Sequence, residues 1–219
     1  GNGPLLEVLA ARRPPFARIV GVDACAPEIE RARARLGDRV ELLACAAQDF
    51  EVEPASIDAV LSHHAFYLFV PVEPVIERIA RALRPGGTFA FMTLGAQPNA
   101  LFAETMALFG PLTKRDNPSF GGWGDPRVWT REGLGALLVG SGRFRDLRFD
   151  SVDLAVEEAP AKLCDRLMRF FYSVDLQRPE TREELCRAWT ALFERHARAD
   201  RVRFTFPSMI VRATAASPR

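Results

Sequence analysis

Between Arg18 and Leu94, short apolar runs alternate with segments of helical spacing, and this alternation constrains the fold more than any other feature of the chain. Arg18-Ile19-Val20-Gly21-Val22-Asp23 is an apolar run ending in an acid, the pattern of a strand buried in a parallel sheet. Pro27 stands where a first helical residue belongs, and Glu28 to Leu36 reads as a helix stopped by Gly37. Arg39 to Ala44 is a second strand and Ile57 to Ser62 a third. Val72, Val75, Ile76, Ile79, Ala80 and Leu83 recur at helical spacing, which predicts an amphipathic helix ending at Pro85-Gly86-Gly87. Thr88 to Leu94 then reads as a fourth strand. The pattern predicts an α/β fold: a doubly wound, mostly parallel sheet with helices on both faces.

Beyond Leu94 the alternation breaks. One helix is expected from Asn99 to Phe109, followed by the Gly/Pro/aromatic stretch RDNPSFGGWGDP, Arg115 to Pro126. A helix from Thr130 to Ser141 and a strand from Phe144 to Val156 come next. Helices from Pro160 to Val174 and from Thr181 to Ala197 precede a last strand, Val202 to Ala213.

The 219 residues are 48% hydrophobic, enough for a domain with a full core and an appendage. With 29 basic and 28 acidic residues the formal charge is +1, so no electrostatic footprint for nucleic acid or an anionic membrane is present. No apolar run approaches the roughly 18 residues of a membrane span and no secretory segment is seen, so a cytoplasmic protein is expected. The four cysteines, Cys25, Cys45, Cys164 and Cys186, show neither C-x-x-C pairing nor zinc spacing to a histidine. They are expected to be buried, reduced thiols, with no metal site.

The chain opens Gly1-Asn2-Gly3-Pro4 and runs straight into an apolar helix. Glycines at a strand-to-helix turn let a backbone approach a ligand, and such a turn also simply starts a helix. Leu6 stands where the dinucleotide fingerprint G-x-G-x-x-G requires its third glycine, so that fingerprint fails. Asp23 ends the next strand, where an acid can accept ribose hydroxyls at the carboxyl edge of the sheet or cap the helix near Pro27.

Together GNGPLLEVLA, IVGVDACAPEIERAR, SIDAVLSHHAFYLF and IARALRPGGTFAFMTLG resemble class I S-adenosylmethionine-dependent methyltransferases of the small-molecule kind. The resemblance covers Gly1 to Leu94 closely and Trp129 to Phe149 loosely. It implies a Rossmann-like methyltransferase fold with an antiparallel last strand and a helical cap, and S-adenosyl-L-methionine as cofactor. Gly1 and Gly3 match the last two glycines of the cofactor loop, with Asp23 on the ribose and Ala24 beside it. Relatives carry an acid followed by Ala at the adenine position. Here the stretch is Ala44-Cys45-Ala46-Ala47-Gln48-Asp49, so Cys45 takes the acid's place, Ala46 and Ala47 adjoin it, and Gln48 or Asp49 could reach back.

Ser62-His63-His64 follows the strand that ends near the transferable methyl group. Methyl transfer from a sulfonium is an in-line displacement, and a base is needed only where the acceptor must lose a proton. His63 and His64 are therefore candidate bases, with packing under the cofactor and capping as the alternative. The Asn/Asp-Pro-Pro-aromatic element of DNA amino-methyltransferases is absent here. Phe120, Trp123, Trp129, Phe170 and Tyr172 are candidate lining for a small, apolar or aromatic acceptor, although aromatic stripes at helical spacing also make cores.

On this reading residues 1–96 form the cofactor-binding half, 97–129 a lid insertion, 130–158 the continuation of the α/β domain, 159–200 a helical cap insertion and 201–219 the last strand and tail. A parallel sheet of this type places a strand directly before the glycine turn. Each neighbour left with unpaired buried backbone groups would lose about 1–3 kcal/mol per group. A further apolar strand ending in an acid and a glycine is therefore expected ahead of Gly1. Two rival functions stand beside methyl transfer: a non-catalytic homologue that binds the cofactor as a partner or regulator, and a nicotinamide oxidoreductase, which Leu6 and the Arg-Pro-Gly-Gly turn disfavour.

Overall fold

Among the described residues the regular elements are α1 (Pro4–Ala10), β1 (Val20–Asp23), α2 (Ala26–Leu36), β2 (Glu41–Ala44), β3 (Ile57–His63), α3 (Glu73–Ala82), β4 (Leu83–Leu94), α4 (Ala100–Asp116), α5 (Arg131–Leu134), β5 (Phe144–Glu158), α6 (Pro160–Phe170), α7 (Pro179–His196) and β6 (Val202–Ala215), alternating as expected through β4. The computed structural model describes residues 1–13, 16–95, 99–118, 122, 124–174 and 177–217, the Tyr172 side chain excepted. Among them no helix is long and apolar enough to cross a membrane.

The chain divides into two compact units, one of Gly1–Thr93, Gly124–Phe149 and Val211–Arg219, the other of Leu94–Trp123 and Asp150–Ile210. In the first unit β1 and β2 run parallel, Val20 opposite Glu41 and Asp23 opposite Ala44. They form a two-stranded sheet, separate from a second sheet in the order β3–β4–β6–β5. β3 and β4 are also parallel, with an irregularity between Ile57 and Ala59. Among the described residues β1 therefore bonds only to β2 and β3 only to β4, and Val22 and Leu61 are 37% and 43% exposed. α1 and α2 pack on the first sheet through Leu6, Ala10, Ala32 and Leu36, with Val40 and Leu42 beneath.

Alternation along β4 buries Phe89, Phe91 and Thr93 and leaves Thr88, Ala90 and Met92 on the other face. Phe66 lies over Phe89 and Phe91, with ring centroids 5.2 and 4.5 Å apart, and Phe144 lies 5.8 Å from Phe89. α3 closes this core with Val75, Ile76, Ile79 and Ala82, all buried.

The second unit has its own core. Leu163 and Leu167 of α6, Leu185, Trp189, Leu192 and Phe193 of α7, Phe102 and Phe109 of α4 and Phe204 of β6 pack together. The Trp189 indole donates to the Thr105 carbonyl at 3.0 Å. The helical aromatic and leucine stripes of this region are thus core, apart from Phe170, which is 43% exposed.

Several expected boundaries move. α3 stops at Ala82 and Arg84-Pro85-Gly86-Gly87 lies within the span of β4, so that turn does not terminate the helix directly. α4 is capped by Asn99, whose side chain accepts from Phe102 N, and continues through Pro111 to Asp116 instead of stopping at Phe109. An interior proline costs a helix about 3 kcal/mol, but burial of Phe109 and Thr113 on the unit's core outweighs it. The helix begun by the Thr130 cap is one α-turn followed by a π-turn, Gly135–Val139. α6 ends at Phe170, and a 3-10 turn, Tyr172–Val174, replaces its expected last turn. The four thiols are not uniformly buried: Cys25 is exposed, Cys45 and Cys186 are intermediate and only Cys164 is buried.

Candidate functional site

Gly3 opens α1 with φ +90°, a left-handed conformation that side chains rarely adopt. A Cβ there would also lie 3.1 Å from Leu36 Cδ1 and 3.2 Å from Ala32 Cβ, so the turn sits directly on α2. The turn meets the end of β1: the Gly1 amino group contacts Asp23 Oδ2. The other oxygen, Oδ1, accepts from Cys25 N at 2.7 Å, an Asx-type turn that leads the chain into α2. Asp23 thus both starts the helix and keeps an oxygen against the glycine turn, with exposed Ala24 beside it.

Because β1 and β2 are parallel and in register to their ends, Asp23 lies beside Ala44 and the stretch after β2 begins at the same edge. Cys45 occupies that edge, its thiol pushed up by burial and then by the Asp49 charge, so it carries a proton rather than the negative charge of an acid. Ala46 and Ala47 form a turn closed by Asp49 N on the Ala46 carbonyl at 2.9 Å. Gln48 does not reach back to β1. Its amide nitrogen lies 3.5 Å from the Pro71 carbonyl, and its backbone carbonyl accepts from Arg78 Nε at 3.0 Å. These contacts tie the chain after β2 to the chain after β3 and to α3.

At the end of β3 the register places Ser62 opposite Phe91 and His63 opposite Met92. Alternation then puts Ser62 on the buried aromatic face and His63 on the exposed one. The Ser62 hydroxyl is buried without a hydrogen-bond partner, as is that of Thr93 near the end of β4. His64 leaves the strand with φ +51°, a position uncommon for a side-chain-bearing residue, and its N–H donates to the Met92 carbonyl at 3.2 Å. Burial, and then the neighbouring His63, lower the His64 pKa to about 4. At neutral pH its imidazole is therefore uncharged.

Tyr67, in the 3-10 turn after His64, extends this cluster. Its ring lies 6.1 Å from His64 and 4.9 Å from Trp129. Gly124, at φ +66°, lets the chain pass against the Tyr67 carbonyl where a Cβ would collide. Arg127 then binds Asp125 and Glu73, fixing the segment that ends in Trp129 against the start of α3. Tyr67 is not among the residues expected at the site; its place three residues after His64, in an aromatic turn, is the signal for it. Trp129 belongs to this first unit, and Phe170 lies in the second, packed on Phe171 and Phe206. Phe120 and Trp123 lie outside the described residues, as does the Tyr172 side chain.

Residues 1–91 match the family described as a methyltransferase domain. The matched stretch includes the glycine turn, Asp23, the chain after β2 and both histidines. A methyltransferase of Claviceps purpurea (strain 20.1) is 32% identical over 106 residues, 48% of this chain and 31% of that protein. The matched stretch thus spans about a third of that relative's length. Among solved structures, the YcgJ protein of Bacillus subtilis matches with TM-score 0.67 at 13% identity, covering 100% of this chain and 89% of that one. Haemonchus contortus phosphoethanolamine N-methyltransferase 2, solved with S-adenosyl-L-methionine, matches with TM-score 0.59 at 18% identity, covering 99% and 47%. At these identities the two structures establish the Rossmann-like methyltransferase fold.

Proposed function

We propose that this chain is the cofactor-binding part of an S-adenosylmethionine-dependent methyltransferase acting on a small organic acceptor. The observation that carries the reading is the placement of Asp23 at the carboxyl edge of β1, beside Ala44 and held by Cys25 N, with the left-handed Gly3 turn packed on α2, all within the matched residues 1–91. The donor set suits the group: a carboxylate for a ribose diol, and a glycine turn whose backbone is open to a ligand. Bound there, S-adenosyl-L-methionine supplies a sulfonium-activated methyl group.

The chain's own part is to position. Asp23 holds the ribose, Gly1 and Gly3 leave room for the methionine end, and Cys45, Ala46 and Ala47 border the adenine. Cys45 offers a protonated thiol there, which weakens adenine recognition relative to an acid. Ser62 brings an unpartnered hydroxyl to the carboxyl end of β3. A neutral His64 accepts a proton from an acceptor that must lose one, although a pKa near 4 makes it a weak base. His63, on the open face, is the other candidate. Tyr67 and Trp129 support an aromatic or apolar acceptor, because their paired rings bring apolar area beside His64.

Isothermal titration with S-adenosylmethionine, S-adenosylhomocysteine and NAD tests the reading. Binding of the first two and not the third is expected, with label moving from methyl-labelled cofactor to a small-molecule acceptor. Binding of NAD alone overturns it, and cofactor binding without transfer to any acceptor favours the non-catalytic reading.

A further inference from the structure

Cys164 and Cys186 meet between α6 and α7 in the second unit. Helical spacing turns Leu163, Cys164 and Leu167 inward on α6 and Leu185 and Trp189 inward on α7. Cys186 follows Leu185 and so stands at the edge of that stripe, half-buried where Cys164 is fully buried. The two Sγ atoms are 3.0 Å apart, and Cys164 Sγ lies 3.5 Å from the Cys186 carbonyl oxygen. Non-bonded heavy atoms in ordinary contact lie about 3.5–4.0 Å apart. A disulfide needs about 2.05 Å, an approach of about 1 Å between the two sulfurs.

We propose that Cys164 and Cys186 are a redox site, forming a reversible disulfide between α6 and α7 by exchange with a small disulfide such as oxidised glutathione. Cys186, the accessible partner, attacks one glutathione sulfur as its thiolate. The S–S bond of glutathione breaks, and the departing thiolate takes up the proton that Cys186 released. The Cys164 sulfur then attacks the Cys186 sulfur of the mixed disulfide, expelling the second glutathione, which receives the Cys164 proton. Two protein thiols are oxidised and one glutathione disulfide is reduced to two thiols. Burial sets this order. Cys164 is 0% exposed, and burial together with its hydrogen bond to Cys186 pushes its thiol up to about 12. It is inert until a sulfur is delivered against it. Cys25 and Cys45 belong to the other unit and serve as internal references for simple glutathione capping.

The reduced protein is incubated with oxidised glutathione, quenched in acid, unfolded, alkylated and digested with trypsin. The expected product is Leu163–Arg166 joined to Glu183–Arg187, reversed by dithiothreitol, with a melting temperature raised by about 5–10 °C. Cys186→Ser, at the half-buried position, removes both the linked peptides and the thermal shift while Cys164 remains alkylatable. Recovery of Cys186 capped by glutathione with Cys164 alkylated overturns the proposal, as does a linked pair without thermal stabilisation.

Discussion

The rings of Trp129 and Tyr67 lie 4.9 Å apart, tilted by 41°, and the chain reaches this packing only because Gly124 passes against the Tyr67 carbonyl. Gly124→Ala puts a Cβ at a positive φ and into backbone that has no flexible tip to yield. The left-handed conformation alone costs an alanine about 1–2 kcal/mol. Displacement of the segment adds to it, so a loss of about 2–4 kcal/mol is expected in chemical denaturation. An unfolding midpoint equal to that of the parent chain rejects the close approach.

His64 gives the stability a pH dependence of known sign. Its pKa falls from 6.5 to about 4 in the folded chain, through burial first and His63 second. Between those values the unfolded chain binds the proton and the folded chain does not. The neutral His64 contribution is therefore fully present above pH 6.5 and is lost as pH falls toward 4. Unfolding midpoints measured across that window are expected to drop in the parent and to drop less in His64→Gln. Equal slopes in the two proteins reject the buried neutral imidazole. An imidazole titration by NMR near 6.5 does so as well.

Trp189 joins α7 to α4 in the second unit, fully buried and donating to the Thr105 carbonyl. Trp189→Ala is expected to cost about 3–5 kcal/mol as a large core cavity, and Trp189→Phe less, near the value of one hydrogen bond plus lost packing. A Trp189→Ala protein within 1 kcal/mol of the parent is incompatible with this core.

The elements that the sequence announces are those whose periodicity is complete within one segment. The acid-terminated run of β1, the one-sided helix α3 and the capped starts at Asn99 and Thr130 are of this kind. What escaped depends on partners distant in sequence. α4 runs through Pro111 because Phe109 and Thr113 are buried in the second unit's core. Tyr67 gains its place from Gly124, far along the chain, and Cys164 finds Cys186 only once α6 and α7 pack. At the candidate site, Asp23 and the glycine turn were legible from their spacing. The different faces of His63 and His64 required the register with β4.

The acceptor reading has its own test. Trp129 and Tyr67 are partly exposed aromatics, so their truncation does not chiefly open a core. If they line the acceptor, Trp129→Ala and Tyr67→Ala each weaken acceptor binding by about 2–10-fold, the worth of an aromatic contact, with cofactor affinity nearly unchanged. Steady-state KM for the acceptor, beside calorimetric cofactor affinity, checks this. A lowered melting temperature with both affinities unchanged assigns the two rings to packing.

Asp23 carries two duties, and they separate by substitution. One oxygen receives Cys25 N, which leads into α2, and the other faces the glycine turn. Asp23→Asn keeps an acceptor for the Cys25 amide but loses the charge, whereas Asp23→Ala loses both. Loss of charge-assisted hydrogen bonds to a ribose costs about 1.5–3 kcal/mol, a fall in cofactor affinity of roughly 10–150-fold. Asp23→Ala is expected to show that fall together with a lower melting temperature. Asp23→Asn is expected to show most of the fall in affinity with little thermal loss, since the turn into α2 survives. Titration of each folded variant with S-adenosylhomocysteine, beside its thermal melt, reads the two duties independently. Cofactor affinity unchanged in Asp23→Ala, with only the melt lowered, reduces Asp23 to the start of α2 and removes the main support for the site.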